Sequence, residues 1–160
     1  MRVLIQRVLT GTVTVNDSIV GSIDSGLVLL VGIRQDDTEE DVSYLVDKTL
    51  NLRVFSDRDG KFNYSALDVG AELLLVSQFT LYSETRKGRR PGFTEAASPE
   101  KARVLFDKVV KMFENSGLKV QSGCFQTHMI VSMQNDGPVT ILLDSLDREI
   151  SRRNYRSESR

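Results

Sequence analysis

A chain of 160 residues, 40% of them hydrophobic and 27% charged, is long enough for one domain with its own core. That composition excludes a disordered or membrane-spanning class. A formal net charge of -1 gives no overall pull toward nucleic acid, and the single cysteine, Cys124, excludes a disulfide framework.

The N-terminal run Met1 to Arg7 is interrupted by charge too early for a signal peptide, and no apolar run approaches the ~18 residues that span a bilayer. A cytoplasmic protein is expected. Val3, Ile5, Val8, Val13 and Val15 form a β-branched strand run. Asn16-Asp17-Ser18 supplies turn chemistry and Ile19 to Ile23 the returning strand. The continuous apolar run Leu27 to Ile33 predicts a buried strand. Thr38, followed by Glu39, Glu40 and Asp41, predicts a helix start, because acids in the first turn complement the helix dipole. Val42, Leu45, Val46, Thr49, Leu50 and Arg53 follow at helical spacing. Asp57 to Gly60 is a turn, and Glu72 to Phe79 another apolar strand. Ser98-Pro99-Glu100 opens a second helix with proline at its first position; its stripe is Ala102, Leu105, Phe106, Val109, Val110 and Phe113, and Gly117 stops it. Strands near Val120 and from Met129 to Leu143 complete the pattern.

These elements predict an α+β fold: a single domain with a curved, largely antiparallel, barrel-like sheet packed with two main helices. The expected division is a domain over 1–146 and a polar, Arg-rich, disordered tail over 147–160.

Most familiar chemistry is missing. The chain has no Gly-rich phosphate loop, His-Glu-x-x-His, Cys-x-x-Cys or Gly-x-Ser-x-Gly. Its one histidine, His128, follows Cys124 by four residues; a partly extended backbone would hold them ~13 Å apart, too far for a dyad. Asp57 and Asp59 read as turn residues. No cluster suggests a metal, and no cofactor is expected. Catalysis would have to use hydroxyls, backbone amides or the substrate itself.

Three segments stand out. Ser77-Gln78-Phe79-Thr80-Leu81 ends an apolar strand in polar residues; it is either a site with a nucleophile or oxyanion amides, or a strand end whose hydroxyls satisfy the backbone. Arg86-Lys87-Gly88-Arg89-Arg90 is a basic loop suited to phosphates, or a solvated charge run. Asn135-Asp136-Gly137-Pro138-Val139-Thr140 places a Gly-Pro step between two strand-like runs. Proline there implies an edge, a strand start or a bulge.

The first and third segments together resemble the two signature motifs of the D-aminoacyl-tRNA deacylases. The similarity extends over roughly residues 1 to 145, through Gln6-Arg7-Val8, Asn51 to Phe55, Arg90-Pro91 and Ala97-Ser98-Pro99. The resemblance implies a homodimer whose active site is completed across subunits. Its partner would be aminoacylated tRNA, and its reaction hydrolysis of the ester between a D-amino acid, or mischarged glycine, and the terminal adenosine. Gly137 and Pro138, joined by a cis peptide, would project into the other subunit as a main-chain wall that excludes L side chains. Ser77, Gln78, Phe79 and Thr80 would form the catalytic pocket, with the amides of Phe79 and Thr80 facing the oxyanion. Met129 would pack on the adenine, Asn135 would touch substrate, Arg7 would brace the Gly-Pro loop, and Arg86, Lys87, Arg89 and Arg90 would contact tRNA phosphates. No His, Lys or free amine is assigned to activate Thr80. Water attack assisted by the ribose 2′-hydroxyl therefore suits the residue inventory better. The segment Gly123 to Met129 departs from the family's Gly-x-Phe-Gly-Ala-x-Met, with Gln126 and Thr127 where small residues are usual. Two other expectations stand beside the esterase: a non-catalytic RNA-binding dimer, and a structural dimer whose Gly-Pro loop only joins subunits.

Overall fold

The computed structural model describes residues 1–149. Strand β1 (Arg2–Val15) turns through Asn16 and Asp17, both left-handed at φ 47° and 61°, into β2 (Ser18–Ile23). The loop is two residues, one shorter than the Asn16–Ser18 turn expected, because Ser18 already pairs with Val15. Strand β3 (Gly26–Gly32) runs back antiparallel to β1. Helix α1 (Glu39–Asn51) starts at Thr38, whose backbone N–H and hydroxyl both donate to the Asp41 carboxylate. It stops at Asn51, so Arg53 lies beyond it and is exposed.

The short strands β4 (Phe55–Ser56) and β5 (Phe62–Tyr64) form a hairpin around the Asp57–Gly60 turn. Helix α2 (Ala66–Val69) then leads into β6 (Glu72–Ser77). This strand ends before Phe79, which begins a 3-10 helix over Phe79–Tyr82. Helix α3 (Pro99–Glu114), capped by Ser98, is followed by β7 (Val120–Ser122) and the long β8 (Ile130–Asp144).

The sheet is antiparallel wherever β1 takes part, pairing with β2, β3 and β8. The β3–β6 and β6–β7 ladders are parallel. The reason is topological: α1 and α3 lie between the strands of those two pairs, and a parallel pair needs such a crossover.

Alternation along two strands builds two cores. Leu27, Leu29 and Val31 of β3, with Leu73 and Leu75 of β6, pack with Leu45, Phe106, Val109 and Phe113 of the helices. Val28 of β3 and Leu74 and Val76 of β6 face the other way, onto Val8, Val13 and Ile23, where the sheet curls on itself. Burial on both faces is why these strands read as unbroken apolar runs. A second 3-10 turn (Ser145–Arg148) carries the fold to Glu149, with Arg148 near Glu40. The remainder of the stretch read as a tail, 150–160, lies outside the described residues.

Candidate active site

Where β3 and β6 end, a cavity of about 600 Å³ opens. Its floor is Val31, Ile33 and Val76; one wall is Ser77, Gln78 and Phe79. A second wall is the loop before α3, with Phe93, Ala96 and Ala97, and the third is the turn from Phe125 to Met129. Phe79 is more than half exposed and meets the Phe93 ring edge-on at 4.8 Å between centroids, so an aromatic pair stands at the mouth. Met129 is seated on Gly123, where a Cβ would come within 2.6 Å of its sulfur. A cavity of this size, mostly apolar with a few polar groups, has the character of a small-ligand site.

The 3-10 helix determines what that wall offers. Its first N–H groups precede any helical acceptor. Among the described residues the amides of Phe79 and Thr80 donate to no carbonyl or side chain. The Thr80 hydroxyl is exposed, outside the cavity lining, and accepts a hydrogen bond from the Gln78 amide. No basic side chain contacts it among the described residues. His128 lines the cavity but Cys124 does not, and the segment between them forms a turn, the loop of the loop-or-strand reading.

The Gly-Pro segment does not interrupt a strand pair; it is a bulge within one strand. Between the pairs Gln6↔Thr140 and Val8↔Asn135, β1 contributes only Arg7 while β8 contributes Asp136 to Val139. The extra residues loop out beside Arg7, leaving Gly137 and Pro138 exposed, and the peptide between them is cis. Gly137 has φ 114°, and a Cβ there would lie 2.9 Å from Val139 Cγ2 and 3.2 Å from Arg7 Nη2. Only glycine fits.

Two side chains close the bulge. The Asn135 carboxamide donates to Thr140 Oγ1 at 2.9 Å and accepts from the Val139 N–H at 3.1 Å, so both of its ends are used inside the bulge. Arg7, nearly buried, donates from Nη1 to the Val54 carbonyl at 2.6 Å. Its Nε lies 2.9 Å from Asp136 Oδ2; the contact is ionic, because the N–H does not point along that line. The Phe62 ring covers the guanidinium at 5.6 Å.

The bulge and the cavity are far apart in one chain. Arg7 pairs with Leu27 and Leu27 with Leu73, at the start of β6, whereas the cavity begins at Ser77 at its end. That offset is roughly 13 Å along the strands and ~14 Å across them. Neither Gly137 nor Pro138 lines the cavity.

The basic loop is only partly available. Arg86 is held by Glu84 through its guanidinium and backbone N–H, and these bonds pull the Glu84 carboxyl down to about 2. Lys87, Arg89 and Arg90 are exposed. Among the described residues no group of three His, Cys, Asp or Glu side chains gathers.

Residues 4–144 match the family model described as D-Tyr-tRNA(Tyr) deacylase. The chain belongs to that family. It is 58% identical over 145 residues to the D-aminoacyl-tRNA deacylase of Halothermothrix orenii, covering 91% of this chain and 97% of that protein. The D-aminoacyl-tRNA deacylase of Clostridioides difficile is 52% identical with the same coverage. Among solved structures, c-Myc DNA Unwinding Element Binding Protein superposes with a TM-score of 0.84 at 38% identity, over 90% of this chain and 98% of that one. In this deacylase-family chain the site residues read from sequence divide into two groups. Ser77, Gln78, Phe79 and Met129 gather at the cavity; Arg7, Asn135, Gly137 and Pro138 gather at the bulge. Phe93 and Phe125 in the cavity, and Val54 and Phe62 around Arg7, were not singled out from sequence. Each meets its partner across long sequence separations, which no local pattern records.

Proposed function

We propose that this chain hydrolyses the ester joining a D-amino acid, or glycine, to the terminal adenosine of tRNA, and that two copies build each active site. The observation that carries this reading is the separation of the two signature motifs within one chain. The cavity can hold the adenosine and ester, but the exposed Gly137-Pro138 bulge can enter only the cavity of a second copy. The single-chain fold favours such a copy, because among the described residues β8 pairs with β1 alone and its outer edge is unpaired.

In that arrangement the ester carbonyl lies at the free amides of Phe79 and Thr80, which stabilise the charge that develops on its oxygen. Main-chain atoms of Gly137 and Pro138 face the α-carbon. They admit hydrogen or a D side chain and leave no room for an L side chain. Such specificity arises from a clash built against the wrong substrate. Arg7 and Asn135 keep the wall in place, so Asn135 acts as a brace rather than a substrate ligand. Lys87, Arg89 and Arg90 contact phosphates, with Arg86 engaged by Glu84. Among the described residues no base contacts Thr80, so the attacking group is water, assisted by the 2′-hydroxyl of the terminal ribose.

A non-catalytic nucleic-acid-binding dimer is the second reading, favoured by the name of the solved relative with 38% identity. Hydrolysis of D-, L- and glycyl-tRNA measured side by side separates the two. Cleavage of the D and glycyl esters with the L ester spared supports the deacylase. Binding without cleavage of any ester supports the alternative.

A further inference from the structure

The turn between β7 and β8 contains an unusual backbone conformation. Gln126 has φ 63°. Glycine enters this region freely, whereas a long side chain resists it. Among the described residues the other two non-glycine residues with positive φ are Asn16 and Asp17, short polar residues that tolerate it in a hairpin turn. Gln126 has no such reason. Its side chain is exposed and has no hydrogen-bond partner among the described residues, so neither packing nor a local bond offsets the strain. The turn is held by its neighbour instead, through Thr127 Oγ1 donating to the Cys124 carbonyl at 2.9 Å. Strained residues that lack a structural reward tend to occur at functional sites.

Gln126 lies on the cavity wall between Phe125 and Met129. Those two neighbours can stack or pack against a flat ring, but they cannot distinguish one ring edge from another. A carboxamide can. It carries a donor and an acceptor side by side, and adenine presents a matching amine and ring nitrogen along one edge. We propose that Gln126 is a specificity-determining residue that reads the edge of the substrate's terminal adenine by a paired hydrogen bond. The small residue usual at this position in the family has no carboxamide, so this contact would be particular to this chain. This proposal rests on the deacylase function and on the terminal nucleotide occupying the cavity.

Two D-aminoacylated tRNAs test it, one ending in adenosine and one in purine riboside, which lacks the 6-amino group. Both are assayed with the wild type, Gln126→Gly and Gln126→Asn, alongside the melting temperature of each protein. Gln126→Gly is expected to melt higher, since the strain is released. It should lose about tenfold in kcat/KM on the adenosine substrate, mainly through KM, and clearly less on purine riboside, where only the ring-nitrogen contact is left to lose. Gln126→Asn keeps a carboxamide on a residue that tolerates the backbone, and is expected to retain part of the preference for adenosine. An equal effect of Gln126→Gly on both substrates, or no effect on either, overturns the adenine contact while leaving the deacylase function intact. A wild type that cleaves neither D ester overturns the function itself, and the contact with it.

Discussion

Arg7 joins three parts of the molecule: the bulge through Asp136, the β4–β5 hairpin through the Val54 carbonyl, and an aromatic lid through Phe62. Its placement on β1 was readable, but its partners were not, because they come from segments some 50 and 130 residues away. Thr80 shows the reverse. Sequence presents a hydroxyl in a signature motif; the structure shows that hydroxyl already accepting from Gln78, outside the cavity and, among the described residues, with no base in contact. Thr80→Ala is therefore expected to keep kcat within about threefold of wild type, since only a side chain not used in the reaction is removed. A substrate with a terminal 2′-deoxyribose should instead lose at least about 100-fold, the scale of a missing general acid-base group. Single-turnover kinetics on both would check this, and an inactive but folded Thr80→Ala would contradict it.

Strands and helices with strong periodicity were legible: the Asn16-Asp17 hairpin, the Thr38 and Ser98 caps, and the apolar stripe of α3. Short elements were not. The four residues of α2 and the two of β4 are fewer than one period of any pattern, and tertiary contacts determine them. The bulge was recognised as an option for Pro138, but a two-strand reading equally fitted the sequence. The deciding fact is that both sides pair with the same strand, β1. Asn135 holds the two sides together. Asn135→Ala removes two hydrogen bonds and leaves the buried Val139 N–H unpaired, so a stability loss of about 1–3 kcal/mol is expected in urea titration. Because the wall then loosens, cleavage of the L ester should rise more than cleavage of the D ester falls. Unchanged enantiomer selectivity in a folded Asn135→Ala protein would remove Asn135 from the bracing role.

At the scale of the whole molecule, the sheet's two faces were visible in the unbroken runs of β3 and β6, but the parallel direction of those ladders was not. Hairpin chemistry marks antiparallel neighbours locally, whereas a crossover becomes visible only when the helix is seen to pack back on the sheet. The Glu72 carboxylate, at the start of β6, pairs with Lys119 just before β7 and accepts from the Asp24 N–H in the β2–β3 turn. Lys119, and then the Asp24 N–H, hold the Glu72 carboxyl below its ordinary range. A depressed carboxyl contributes stability above its unfolded value, here 4.5, and that contribution is lost as pH falls through the folded value. Stability measured by denaturant from pH 6 to pH 3 should therefore decline less steeply for Glu72→Gln than for wild type. The pair is partly exposed, so the difference stays below about 1 kcal/mol.

The central claim is that the wall of one copy completes the cavity of another, and complementation tests it most directly. Gly137→Ala places a Cβ against Val139 and Arg7 and so displaces the wall. Ala97→Trp fills the cavity and leaves the wall untouched. Each homodimer should fail as a D-selective deacylase. A purified heterodimer of the two chains retains one intact cavity facing one intact wall, and should cleave the D ester while sparing the L ester. A heterodimer with no D-selective activity, formed from two folded chains, would contradict the account.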